Sequence, residues 1–95
     1  MDWSKVLVVS HSQSELDELS KALQSKGYQV STARDLSESI RNFTMQKPDA
    51  VVIGSTMDLS TRSHIKDRIQ SDAPNIPVID GDPRTLELQL RQHLK

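Results

Sequence analysis

An open, doubly wound α/β layer with parallel strands is the fold that this 95-residue sequence predicts, on three observations. Short runs rich in Val and Ile recur along the chain without polar alternation, as strands buried on both faces do. Capping residues and apolar residues at three-to-four spacing follow these runs, the pattern of amphipathic helices. Four short strands separated by helical segments imply parallel pairing through right-handed crossovers, which places helices on both sheet faces.

Lys5–Val9 is the first strand, and Ser12 with Glu15 three residues later has the spacing of a capping box. Leu16, Leu19, Ala22 and Leu23 form the stripe of the first helix, which Lys26 and Gly27 end with a basic last turn and a left-handed stop. Tyr28–Thr32 is the second strand, and Asp35 with Glu38 repeats the capping-box spacing ahead of Leu36, Ile40 and Phe43. Pro48 and Asp49 end that second helix, Ala50–Ile53 is a fully apolar strand, and a loop from Gly54 opens before a weaker helix carrying Ile65 and Ile69. Ala73–Asn75 then leads into the fourth strand, Ile76–Ile79. In the last stretch Leu86, Leu88 and Leu90 alternate as in a strand, while Leu86, Leu90 and Leu94 recur as in a helix. Asp82 as a cap, Pro83 in a first turn and the lack of β-branched residues after Thr85 favour a helix.

Composition narrows the function. A chain of 95 residues with 35% hydrophobic content holds one core, so residues 1–95 are expected to form a single domain. Without cysteine there is neither a disulfide framework nor thiolate chemistry. No apolar run approaches the roughly 18 residues that span a bilayer, and Met1-Asp2-Trp3 lacks the start of a secretory signal, so a cytoplasmic protein is expected. Twelve Lys and Arg against thirteen Asp and Glu, interspersed along the chain, leave a net charge of −1. That balance supplies no field for nucleic acid or an anionic membrane, and neither is expected as a partner.

Candidate sites are sparse, and bland readings compete with each. Ser10, His11 and Ser12 sit at a strand-to-helix junction that favours an anion, although a serine there is explained by capping alone. Asp58, Asp80 and Asp82 would lie at the same sheet end and suit a hard cation, but turn and cap chemistry accounts for them more simply. His11, His64 and His93 have no ligand spacing, so no metal is expected. Arg62, Lys66 and Arg68 make the densest basic patch, which reads as a solvated helix face. No phosphate loop, nucleophile elbow or oxyanion-hole motif is present, so no enzyme and no cofactor are expected.

In joint order and spacing, Lys5–Val9, the capped helix ending in Lys26-Gly27-Tyr28, Thr32-Ala33, Asp35, Lys47-Pro48-Asp49 and Ile76–Ile79 resemble the receiver domain of bacterial response regulators. The resemblance covers the chain from Lys5 to about Ile79. It implies a flavodoxin-like open parallel sheet in a three-layer α/β/α arrangement, in which the four strands read from this sequence would stand in the order 2-1-3-4, followed by a C-terminal helix. It also implies metal-assisted phosphoryl transfer to an aspartate at the carboxyl end of the third strand, beside an acidic pair after the first. Ser10 and His11 stand where that pair falls, and Gly54, with no side chain, stands where the acceptor falls. The family's switch hydroxyl and later lysine are replaced by Asp80-Gly81-Asp82 and no recognisable fifth strand, and its third-loop proline and glycine by Asp58 and Arg62. On the resemblance, Ser10, His11, Gly54 and Asp82 mark a degenerate, non-functional phosphorylation site in a shortened pseudo-receiver.

The function expected is therefore phosphorylation-independent: a protein–protein interaction or dimerisation module in bacterial signal transduction or transcription regulation, suited to the amino terminus of a longer regulator. Its partner is expected to be a second copy or another signalling protein. Ile76, Val78 and Ile79 on an edge strand, with Leu88 and Leu90, are the expected interface. The alternative is a sensor of a small anionic ligand or nucleotide at the carboxyl edge of the sheet, held by Ser10, His11, Ser12, Gly54 and Ser55, with Asp82 alongside.

Overall fold

The computed structural model describes residues 5–54 and 57–81. Along them run β1 (Lys5–Val9), α1 (Gln13–Gln24), β2 (Gln29–Ala33), α2 (Leu36–Gln46), β3 (Ala50–Gly54), α3 (Leu59–Asp72) and β4 (Val78–Gly81), in strict alternation. All strand pairs are parallel and the sheet order is β2-β1-β3-β4, the fold class and order expected. Val8 of β1 stands opposite Thr32 of β2 on one side and Val52 of β3 on the other.

Period-two side-chain alternation divides the core into two layers. Val6, Val8, Ala50, Val52 and Ile79 pack against Leu16, Leu19 and Leu23 of α1. Leu7, Val9, Val51 and Ile53 pack on the opposite face against Phe43 of α2 and Ile65 and Ile69 of α3. Both faces of β1 and β3 are thus covered, which explains their unbroken apolar sequences.

Each helix begins on a residue that accepts one of the amide protons left unpaired in a first turn. Ser12 accepts from the Glu15 amide, Asp35 from the Glu38 amide at 2.8 Å, and Asp58 from the Thr61 amide at 3.3 Å. After α1 the chain turns through Gly27 at φ 91°, the left-handed conformation anticipated there. α2 ends differently: Lys47 itself takes the left-handed conformation, at φ 49°, immediately before Pro48.

Several boundaries and faces differ from expectation. Ala22 is exposed, so the α1 stripe is Leu16, Leu19 and Leu23, the set that one helical face of 3.6 periodicity can bury. β2 runs one residue later than anticipated, with Tyr28 packed beside the core ahead of it. β4 starts at Val78 instead of Ile76, because Pro77 has no amide proton for the ladder and the Ile76 amide closes a turn onto the Ala73 carbonyl at 3.1 Å. The Pro77 carbonyl still accepts from Val51, at 3.0 Å. Ser39, a polar residue inside α2, is buried, its hydroxyl donating to the Asp35 carbonyl one turn back. The expected C-terminal helix, together with Ser55, Asp82, Leu88 and Leu90, lies outside the described residues. Among the described residues, no helix is long and apolar enough to cross a membrane.

Candidate functional site

In an open parallel sheet, the chain reversal between β1 and β3 opens a crevice at the carboxyl ends of the strands. Ser10, one residue past β1, and Gly54, the last residue of β3, meet at that crevice. Ser10 is fully buried and held on three sides. Its amide donates to the Ala33 carbonyl of β2 at 3.0 Å, its hydroxyl donates to Glu15 Oε1 at 2.6 Å, and Ser10 Oγ accepts the Ser12 amide at 3.0 Å.

Glu15 is half-buried in the first turn of α1, where the positive end of the helix dipole favours a carboxylate. The capping-box spacing holds only in part. Ser12 does accept the Glu15 amide, at 3.3 Å, but the Ser12 amide, which the box assigns to the glutamate, goes to Ser10 Oγ. The Glu15 carboxylate reaches across Ser10 to the end of β3. A Cβ placed on Gly54 would overlap Glu15 Oε1, lie 2.7 Å from Glu15 Cδ and sit 2.9 Å from Ser10 Cβ. Gly54 is therefore glycine because a side chain from α1 occupies the space its own would need.

The remaining candidates lie around this filled crevice. His11 and Ser12 flank Ser10, the first exposed and the second half-buried as the cap of α1. Asp58 is exposed at the start of α3. The Thr61 hydroxyl and then the Thr61 amide hold its carboxyl below the usual carboxylate range, with the charge of His11 a smaller influence. Asp80 stands opposite Ile53 in the β3–β4 register. Among the described residues, no three His, Cys, Asp or Glu converge on a point where a metal would sit. The residues expected at an interface separate: Ile79 is buried at 4% exposure beneath α1, whereas Ile76 and Val78 are half-buried on the opposite face. Among the described residues, β4 pairs with β3 alone.

Sequence reading gave Glu15 only a capping role and missed its place in the crevice. The signal was steric: a glycine ending a buried strand, a serine ending its neighbour, and a long acid in the helix turn directly above them.

No protein-family model matches the chain. Over 74 residues, 78% of its length, the chain is 32% identical to the transcriptional regulatory protein PrrA of Mycobacterium leprae and covers 32% of it. It thus spans about a third of the length of the curated relatives it matches. Its fold is that of the chemotaxis response regulator CheY4 of Vibrio cholerae, with a TM-score of 0.84 at 22% identity over 98% of this chain and 100% of that one. The response regulator TrrA of Thermotoga maritima, solved in complex with Mg(2+)-BeF, superposes with a TM-score of 0.82 at 16% identity over 96% of this chain and 99% of that one.

Proposed function

We propose that this chain, which has the fold of CheY-like response-regulator receiver domains and is 32% identical over 74 residues to a transcriptional regulatory protein, carries a signal by contact with another protein and accepts no phosphoryl group. The observation that carries this reading is Gly54, with the Glu15 carboxylate lying where an acceptor side chain would begin. Phosphoryl transfer to this fold, as the sequence resemblance implies it, needs an acceptor carboxylate at the end of β3 and a Mg²⁺ held by acidic residues after β1. Ser10 and His11 provide no carboxylate, and Glu15 is engaged by the Ser10 hydroxyl at 2.6 Å. The module serves bacterial signal transduction or transcription regulation, and self-association along β4 is one form its contact takes.

The anion-sensor alternative gains no support from this geometry. The crevice holds a negative charge of the chain's own, and Ser10, fully buried, has its hydroxyl committed to Glu15 and Ser12. An anion entering there would have to displace a carboxylate and strip Ser10 of its partners.

Incubation of the chain with a small acyl-phosphate donor and Mg²⁺, followed by intact-mass analysis, tests the reading. The mass is expected to stay that of the unmodified chain; a stable phosphate adduct on an acidic residue would overturn it.

A further inference from the structure

A groove opens between the C-terminal ends of α2 and α3, on the face of the sheet opposite α1. It measures about 450 Å³ and is lined by Phe43, Thr44 and Lys47 on one side and by Asp72, Ala73 and Ile76 on the other. Phe43, Ala73 and Ile76 belong to the core layer beneath these helices, so the apolar wall of the groove is continuous with the core.

The sheet register identifies what lies nearest. Val6 stands opposite Ala50 and Val51 opposite Val78, which sets Lys5 beside Asp49 and Asp49 beside Ile76 along the amino edge of the sheet. Two hydrogen bonds hold the first of these pairs. The Lys5 amide donates to Asp49 Oδ2 at 2.8 Å, and the Asp49 amide donates to the Lys5 carbonyl at 2.7 Å. The chain therefore enters β1 two strand spacings, roughly 10 Å, from the Ile76 wall of the groove.

Direction and reach then single out one residue. Leu7 and Val9 face α2 and α3, and the period of two along a strand assigns Lys5 and Trp3 to the same face. Trp3 is two residues ahead of Lys5, about 7 Å of extended backbone, and the indole adds several ångströms more. It is the only tryptophan in the chain, with a large apolar surface that favours a groove over water. The charges agree. Asp2 adjoins Trp3 and the exposed Lys47 flanks the groove, while Asp72, the acid on the far side, is paired with Arg68 at 3.4 Å. We propose that Trp3 of the same chain seats its indole in this groove, against Phe43 and Ile76, and so straps the ends of α2 and α3 to the start of β1. The strap is independent of the contact reading above, and it removes this groove from the surface open to a partner.

Because Trp3 is the only tryptophan, its fluorescence tests the strap directly. Emission is expected at shorter wavelength than that of N-acetyltryptophanamide in the same buffer, with weaker quenching by acrylamide, and unchanged on dilution. NMR of the same chain should show contacts between the indole protons and the side chains of Phe43 and Ile76. Thr44→Glu, at an exposed position on the groove, sets a carboxylate beside the indole and against Asp2. Its emission is expected to move to longer wavelength while the circular dichroism of the fold is kept. Water-like emission from the parent chain, or indole contacts to residues elsewhere, would overturn the proposal. So would a blue shift lost on dilution, which would place the indole on a second copy, or emission from Thr44→Glu equal to the parent's.

Discussion

Gly54→Asp is expected to destabilise the domain by about 3 kcal/mol, a drop of roughly 15 °C in Tm for a chain of this size. Two costs combine. The new Cβ overlaps the Glu15 carboxylate and comes within 2.9 Å of Ser10 Cβ, so the glutamate must leave and β3 must shift away from β1. The aspartate then sets a second carboxylate beside the first in a partly buried site, where like charges cannot both stay ionised without penalty. An aspartate at the end of β3 thus finds the space beside it already filled. Glu15→Ala combined with Gly54→Asp should recover more than about 1 kcal/mol of the loss, a non-additivity typical of residues in direct contact. Thermal unfolding of both single variants and the double variant reads the coupling. A Gly54→Asp protein as stable as the parent, or strictly additive effects, would show that Glu15 does not fill the crevice.

Leu19→Ala should cost about 3–4 kcal/mol, a large part of the roughly 5–15 kcal/mol that holds a small domain together. Leu19 is fully buried at the centre of the α1 stripe, against Val6, Val8 and Val52, with Leu16 and Leu23 a turn to either side. Truncation removes apolar area from the contact and leaves a cavity, because the sheet behind it is braced on its other face by α2 and α3 and cannot collapse inward. Ala22→Ser, on the same helix but exposed, is expected to change stability by less than about 0.5 kcal/mol. Urea unfolding of the two variants separates them. Equal effects would mean that α1 does not pack through the Leu16, Leu19 and Leu23 face.

The fold was legible because buried parallel strands and capped helices leave separate local marks. Lys5–Val9 and Ala50–Ile53 are apolar throughout since each lies between two layers, and Ser12, Asp35 and Asp58 all cap helices, although Asp58 read as a turn residue. Strand limits were less legible where a tertiary contact decided them. Ile76 and Pro77 have β-like neighbours, but the turn onto Ala73 and the missing proline amide delay β4 to Val78. The crevice was half legible. Ser10 and Gly54 stood where the resemblance places acidic residues, but the sequence distance from Glu15 to Gly54 concealed that the glutamate side chain occupies the space beside the glycine. Capping statistics assign a first-turn glutamate to its own helix amides, and only the packed arrangement of β1, β3 and α1 redirects it to Ser10.

We propose that the Glu15 carboxylate, lying between Ser10 and the end of β3, closes this crevice to a phosphoryl group. Amide NMR spectra of the ¹⁵N-labelled chain, recorded with Mg²⁺ alone and with Mg²⁺ plus beryllofluoride as a phosphoryl mimic, test it most directly. The signals of Ser10, Glu15 and Gly54 are predicted to be the same in both spectra. Discrete new signals for Ser10 and Gly54 on adding the mimic would mean that the crevice opens and takes up a phosphoryl-like group, contradicting the account.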